Sequence, residues 1–537
     1  NITVSGISTN SKKIKKKNIF FAIRGKKFDG EKFIKDAIDN GASAVVCSKN
    51  CKIWDNSIPI IKTNKIRHFL SDVSSKFYKS KPKNIIAVTG TNGKTSVADL
   101  FYQILRLNNI RVASIGTLGI KYDDKIIKTG LTSPDTITLH KNLNYLKKKK
   151  INNVIIEASS HGLDQKRLHH IKFKGAIFTN FSQDHLDYHK TMKSYLNAKL
   201  ILFRKILSKK STIISNKEIP TFKILKKIAK KKNLKILNIN NTLTKIKNID
   251  LKFNEDFKIR NLSMAIEAAK LCGLKEKLIF RNLKKLKDVN GRLELVKRYP
   301  NDVKVFIDYA HTPDALFESL KSLKNNYGNN ISLVFGCGGE RDQTKRPIMA
   351  RIANDNCKKI YITDDNPRNE KPQKIRNDLL KNISKSRSFN IGNRTLAIKK
   401  AILNAVPGEI VLIAGKGHEE QQIYKNKILN ISDKKIVKKI NVKTKKKSIK
   451  DQKYMQNKLI LYKVLGKKKS LNFSGLSIDT RTIKKGNLFL AIKGKKIDGN
   501  KFVNTALKKG AGCIISSKIL KKKNKKIITV KNSISFL

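Results

Sequence analysis

From residue 84 onward, short apolar runs alternate with longer segments whose apolar positions recur every three or four residues. The runs are "NIIAVTG", "NVIIEASS", "GAIFTNFS", "VKVFIDYA", "ISLVFGCGG", "KIYITDDNPR" and "EIVLIAGKG". Each is a few residues long, rich in β-branched positions, and stops at glycine or at polar residues. That is the pattern of a strand covered on both faces. The segment "TSVADLFYQILRLNN" instead places Val97, Leu100, Phe101, Ile104 and Leu105 on one face of a helix. Strands alternating with helices predict parallel α/β sheets. Residues 1–83 predict a smaller mixed unit, with "NIFFAI" and "ASAVVCS" as strands and "GEKFIKDAIDNG" as a short helix stopping at Gly41. The polar gap "LKKLKDVNGR" (283–292) separates two α/β units, and the run "NVKTKKKSIKDQKYMQNK" from 441 predicts a solvated linker. The expected division is therefore 1–83, 84–290, 291–442, a linker at 443–470, and 471–537.

The last segment repeats the first. "KNIFFAIRGKKFDGEKF" (17–33) and "GNLFLAIKGKKIDGNKF" (486–502) share 11 of 17 positions at an offset of 469 residues. A single recurrence at that distance is a module used twice, not a solenoid.

Composition changes the picture in one respect. Lys and Arg total 117 against 40 Asp and Glu, a formal net charge of +77. Neutralising phosphates is one use for such charge. However, 99 of the cations are Lys, spread along the whole chain together with Asn and Ile. A nucleic-acid surface concentrates charge, uses Arg and interleaves aromatics, so no specific nucleic-acid partner is expected. No apolar run reaches the 18 or so residues of a membrane span, and no secretory signal opens the sequence, whose first residue is Asn1. The six cysteines lack zinc spacing and are expected to be free thiols in a reducing compartment, which predicts a cytoplasmic location without membrane attachment.

Chemistry concentrates at the strand ends, where open parallel sheets bind ligands. "TGTNGKTS" (89–96) follows a strand and opens a helix. Gly90 and Gly93, with Thr91 and Asn92 between them, let backbone N–H groups approach phosphates; Lys94 neutralises them, the Thr95 hydroxyl can reach a magnesium ion, and Ser96 closes the ATP-binding stretch. Val88 occupies the first glycine position of the strict phosphate-loop form, and a plain glycine turn is the alternative reading. Glu157 ends the next strand as a hard oxygen ligand suited to Mg²⁺. Asp184, His185, Asp187 and His189 cluster in "FTNFSQDHLDYH". Lys199 lies on an apolar helix face, where spacing alone leaves it between a solvated lysine and a site residue. Three later strand ends supply Arg341, Arg346, Asp365, Asn366, Arg368, Lys416, His418 and Glu419. Arginine forks bind carboxylates and Asp or Glu holds ammonium, so a pocket with both suits an amino acid.

The order "TGTNGKTS", "EASSHGLDQKR", "FTNFSQDHLDYH", "AK", "NGRLE", "DYAHTPDAL", "GCGGERDQTKRP", "DDNPR", "GKGHE" resembles the Mur ligases over roughly residues 1–440, most of all the MurE branch. The resemblance implies a three-domain α/β protein: a small N-terminal UDP-binding domain, a central P-loop-type ATP-binding domain and a C-terminal Rossmann-like domain, here with an extra copy of the N-terminal module. It implies ATP-dependent addition of meso-diaminopimelate to UDP-MurNAc-L-Ala-D-Glu through an acyl phosphate, with two Mg²⁺ ions. By the same resemblance Thr95, Glu157, His185 and a carbamylated Lys199 hold metal. Lys94, Asn261, Arg292 and Asp308 meet ATP. Ser11, Lys26, Lys27, Phe28, Thr132, Ser133, Ser159, Gln165 and Arg167 meet the UDP substrate. Arg341, Asp365, Asn366, Pro367, Arg368, Gly415 and Glu419 form the diaminopimelate pocket, in which Arg368 selects diaminopimelate over L-lysine. Lys258 stands where many members have Asn, Leu131 where they have a polar residue and Ser96 where they have Thr. An L-lysine-adding ligase, a folylpolyglutamate synthetase and a decayed nucleotide binder are the alternatives. The C-terminal repeat, with "SIDTR", resembles the opening of the MurF branch and suggests a functional link to that step.

Overall fold

A computed structural model describes residues 3–25, 28–249, 251, 255–441, 473–494, 497–518, 524 and 526–530. Lys26, Lys27 and the expected linker 443–470 lie outside the described residues. The chain divides into two compact units, Asn1–Asn441 and Val442–Leu537.

The first unit contains three principal sheets. The N-terminal sheet has four parallel strands in sequence order: Gly6–Ser8, Asn18–Phe21, Ala42–Cys47 and Ile60–Lys62. Its "GEKFIKDAIDN" segment is a 3₁₀ turn, Gly30–Phe33, running into the helix Ile34–Asp39. The following helix, Ile66–Phe77, packs on Thr136–Lys148 of the central domain. There the Ser71 hydroxyl donates to the His169 carbonyl at 2.8 Å.

The central sheet has eight strands, in the order Lys235–Asn238, Thr212–Ser215, Gly175–Phe178, Asn84–Thr89, Asn153–Glu157, Val112–Gly116, Gly119–Tyr122 and Lys125–Ile127. The first six are parallel; the inner five are buried, and the edge strand Lys235–Asn238 is partly exposed. The helix Lys94–Leu107 sits on the strand Val112–Gly116 and on the helix Asp256–Leu271. Val97, Leu100, Phe101, Ile104 and Leu105 are all buried there, each contributing roughly 1.5–3 kcal/mol. The last two strands are antiparallel, contrary to the parallel pattern expected. The cause is two tight turns: Thr117–Leu118 reverses the chain after Val112–Gly116, and Asp123–Asp124, both left-handed at φ 41° and 62°, reverses it again.

The third sheet has the order Glu294–Arg298, Lys304–Asp308, Ile410–Ala414, Ile331–Phe335, Lys359–Ile362 and Ser388–Asn390, with only the first strand antiparallel. Its far end is braced by a fully buried ion pair. Arg394 donates to both carboxylate oxygens of Asp433, at 2.8 and 2.7 Å, and to the Ala414 carbonyl at 3.0 Å. Among the described residues no helix is long and apolar enough to cross a membrane.

The second unit folds as the first module does. Leu476–Ser477, Leu488–Ala491, Cys513–Ser516 and Ile527–Thr529 form a parallel sheet in the same order. Its core residues Phe489, Ala491, Val503, Ala506 and Ile514 stand at the repeat positions of Phe20, Ala22, Ile34, Ala37 and Val45. One brace also recurs. The buried Glu31 side chain accepts from Ser48 N at 2.9 Å, and Asn500 accepts from Ser517 N at 3.1 Å at the equivalent place.

Asp433→Asn leaves the Arg394 guanidinium buried without its counter-charge. It is expected to cost about 3–5 kcal/mol, read from the urea midpoint of the full chain. A shift below about 1 kcal/mol would mean that the pair is not a brace.

Candidate functional site

The strand Asn84–Thr89 delivers the chain to a loop that only glycine allows. Gly90 has φ 145°, and a Cβ there would collide with the Thr179 hydroxyl. Gly93 opens the helix Lys94–Leu107 in the left-handed region at φ 86°, so the first N–H groups of that helix face outward. Residues 91–96 of this loop line a cavity of about 440 Å³. Asn261, Arg292, Asp308, Thr132, Ser159, His185 and Lys199 line the same cavity.

Two lysines meet at its floor. The half-buried Lys94 donates to the Gly90 and Thr91 carbonyls at 2.9 and 2.8 Å. Lys199, only 1% exposed, donates to the same Gly90 carbonyl at 2.7 Å and lies 4.3 Å from the centre of the Tyr195 ring. Burial lowers both ammonium groups below the ordinary lysine range; Lys199 falls well below it, burial acting first and Lys94 second, against the pull of Asp184.

Glu157 is 1% exposed and held by three donors: Thr95 Oγ1 at 2.9 Å, Thr117 N at 2.8 Å and Thr117 Oγ1 at 3.0 Å. Arg292 donates to Thr95 Oγ1 at 3.1 Å and lies over the Tyr309 ring at 4.3 Å. His185 opens a short helix in the left-handed region, with Nε2 3.3 Å from Asp184. Burial lowers its pKa to about 2, so the imidazole is neutral and able to bind a metal. Among the described residues no three His, Cys, Asp or Glu side chains form a metal-sized cluster. The donor set fits Mg²⁺ nonetheless, since that ion takes one or two carboxylates and completes its shell with phosphate oxygens and water.

Asp308 is buried, accepts from Ser319 Oγ at 2.6 Å, and has its carboxyl pKa raised by burial. Behind the cavity, Ser133 Oγ donates to the Glu157 carbonyl at 2.7 Å. Arg167 donates to the Ser133 carbonyl at 2.7 Å and to Gln165 Oε1 at 2.6 Å. In the N-terminal domain Ser11 is buried and Phe28 is 75% exposed.

The three later strand ends gather a second group. Arg368 is held left-handed at φ 55° and donates to the Gly339 carbonyl at 2.7 Å. Burial and then the Arg341 guanidinium lower its pKa. Asn366 Nδ2 donates to Glu419 Oε2 at 3.0 Å, and the buried Lys416 donates to that same oxygen at 3.0 Å. Burial works to raise the Glu419 pKa, but Lys416 and Asn366 outweigh it and the carboxylate stays charged. Asp365 abuts Gly415, and the Pro367 carbonyl accepts from Glu370 N at 3.1 Å. Tyr309, on the nucleotide-side cavity, donates to Glu419 Oε1 at 3.2 Å and so joins the two groups.

Two candidates are placed elsewhere. Arg346 is 1% exposed and its two terminal nitrogens are held by Glu370, at 2.7 Å twice, and by Asp378 at 3.0 Å, so it braces helices instead of meeting an amino acid. Lys258 is turned toward Glu255 and Asp288, both at 3.2 Å, and the Leu293 carbonyl at 3.1 Å. Several contacts were not legible in the sequence. Thr117 bears no motif. Asn92 reaches Asp314 at 2.8 Å across domains, and Asp184 meets His311 at 3.5 Å and Lys345 at 3.7 Å.

The depressed Lys199 pKa has a stability signature. Between that pKa and the ordinary value near 10.4, the unfolded chain holds a proton that the folded chain lacks. Wild-type stability therefore climbs with pH through that window and is lowest below it. Lys199→Met lacks this slope. It is expected to be more stable than wild type at neutral pH by on the order of 1 kcal/mol. Urea unfolding from about pH 7 to about pH 9 measures both effects; a destabilised variant with the wild-type slope contradicts them.

Three family models match four segments of the chain. A Mur ligase middle domain matches residues 88–271, and a Mur ligase glutamate ligase domain matches 291–417. A Mur ligase family catalytic domain matches both 3–78 and 472–535, the two copies of the repeat. A protein of Rickettsia montanensis, named UDP-N-acetylmuramoyl-L-alanyl-D-glutamate–2,6-diaminopimelate ligase, is 40% identical over 81% of this chain and 95% of its own length. An Aquifex aeolicus protein of the same name is 40% identical over 81% of this chain and 93% of its own. A solved structure under that name is 30% identical, with a TM-score of 0.55 over 81% of this chain and 94% of that one. The MurF ligase of Thermotoga maritima in complex with ADP, 18% identical with a TM-score of 0.53, shares the fold. The chain belongs to the Mur ligase family.

Proposed function

We propose that this chain is an ADP-forming ligase that adds meso-diaminopimelate to the D-Glu γ-carboxylate of UDP-MurNAc-L-Ala-D-Glu. The observation that carries this reading is the Tyr309 bridge. It sets a loop of two guanidiniums and one charged carboxylate against a phosphate-loop cavity.

The reaction requires several anions in one place, and the cavity is built for that. Lys94 and Arg292 neutralise the nucleotide phosphates. Thr95, Glu157, His185 and the carbamate of Lys199 hold two Mg²⁺ ions, which stabilise charge on the transferring phosphoryl group when bound. Lys199 is suited to carbamylation because its low pKa leaves a neutral amine. That nitrogen forms a bond to carbon dioxide and releases a proton, which turns an uncharged buried amine into an anion. The substrate γ-carboxylate takes the γ-phosphoryl group of ATP to give an acyl phosphate and ADP. The diaminopimelate amine, held by Glu419 and Asp365, then displaces phosphate. Asn261 and Asp308 face the nucleoside. Thr132, Ser133, Ser159, Gln165 and Arg167, with Ser11, Lys26, Lys27 and Phe28, take the UDP substrate. Arg341 and Arg368 pair with the carboxylate that L-lysine lacks. The second unit is proposed as the opening domain of a MurF-type ligase.

Phosphate release is expected only with ATP, Mg²⁺, the UDP-linked dipeptide and meso-diaminopimelate together. Arg368→Ala should raise the diaminopimelate KM roughly 10- to 100-fold, the loss of one charge-assisted pair. Equal turnover of L-lysine by the wild type would overturn the choice of amino acid. Removing residues 443–537 is expected to leave diaminopimelate addition unchanged in rate. Lost activity in a product that still melts cooperatively would show that the second unit takes part.

A further inference from the structure

Glu157 accepts from two residues, Thr95 and Thr117. Thr95 belongs to the phosphate loop; Thr117 belongs to no motif. It stands at the turn between the strands Val112–Gly116 and Gly119–Tyr122. Its N–H binds one carboxylate oxygen at 2.8 Å and its hydroxyl binds the other at 3.0 Å, so it grips Glu157 in two places and fixes the plane of the carboxylate. The neighbouring Gly116 has no side chain because a Cβ there would occupy the position of Glu157 Oε1. The Thr117 hydroxyl also lies 3.1 Å from Thr132 Oγ1. Its one proton is committed to Glu157, so Thr132 is the donor in that contact. The Thr117 backbone faces the His418 imidazole of the C-terminal domain. One residue therefore touches the carboxylate proposed for metal, a residue proposed for the UDP substrate, and the loop that carries Glu419.

We propose that Thr117 is a positioning residue that orients the Glu157 carboxylate for Mg²⁺, with Gly116 leaving room for that carboxylate. The proposal rests on the reading of Glu157 as a metal-facing group. Hydrogen bonds to a ligating carboxylate set its orientation and basicity, and their removal weakens metal binding about 10- to 100-fold. Thr117→Val keeps the shape and the backbone N–H but removes the hydroxyl, whereas Thr117→Ser keeps the hydroxyl.

The test is calorimetric titration of the full chain with ADP at stepped Mg²⁺ concentrations, with no UDP substrate or amino acid present. In Thr117→Val the Mg²⁺ needed for half of the metal-dependent gain in ADP affinity should rise about tenfold. Thr117→Ser should match wild type, and Gly116→Ala, which displaces the carboxylate from the other side, should reproduce the valine result. ADP affinity without Mg²⁺ should be the same in all four proteins. Wild-type Mg²⁺ dependence in Thr117→Val, or equal impairment in Thr117→Ser, overturns the proposal. If Thr117→Val does not fold, Gly116→Ala decides it on the same readout. A wild type that binds ADP with Mg²⁺ but forms no amide would sink the ligase reading and leave this one standing. A wild type that binds no ADP would sink both.

Discussion

The carbonyl oxygen of Gly90 accepts hydrogen bonds from Lys94 and from Lys199 at once. Two lysine amines share one acceptor there, and burial lowers the pKa of both, so the doubly charged floor is disfavoured. That arrangement costs folding free energy and persists because the surrounding structure holds it. The loop is fixed by a glycine that could carry no side chain, and Lys199 by a helix that buries Tyr195 and Leu200 around it. Anions brought beside Lys94 or formed on Lys199 would offset that cost. A floor lined by two lysines suits a reaction that brings several negative groups together.

The other domains complete this floor. Asn92 in the loop binds Asp314 of the C-terminal domain, Thr95 receives Arg292, and Asp184 draws in His311 and Lys345. These contacts cross a domain boundary at the phosphate loop. Arg341 lies 3.9 Å from Asp187 across that boundary, on the side where the amino-acid group sits. Opening and closing of the C-terminal domain would therefore alter both the phosphate site and the amino-acid site. The buried Arg394–Asp433 pair holds the Ala414 carbonyl, at the end of the strand that leads directly to Gly415 and Glu419, so the loop that presents them starts from a rigid anchor.

Motifs that join residues close in sequence were legible before the fold was known. The phosphate loop is a local device, with its glycines, lysine and helix start within eight positions, and so was the strand-to-loop placement of Glu157 and Arg368. Residues that act at a distance were not. Thr117 follows "SIG" without a motif, and its grip on Glu157 comes from the adjacency of two strands about 40 positions apart in sequence. Arg346 read as a free fork, yet Glu370 and Asp378 already pair with it, because charge pairing depends on which helices pack together. The antiparallel hairpin was hidden because Asp-Asp is a weaker turn signal than the Asn-Gly or Asp-Gly such turns usually carry.

The amino-acid sequence by itself determined the alternation of strands and helices, the phosphate loop, the order of motifs and the duplication of the opening module, because each is written in local periodicity or in residues near one another. The tertiary structure decided which side chains share one cavity, which cations are already paired, and that Lys94 and Lys199 meet on one carbonyl. Those outcomes depend on burial and on distances between remote segments, which no local pattern encodes. The repeat shows both sides of this. Its sequence announced a second copy, while the matching sheet order and the Ser517–Asn500 brace came from the folded chain.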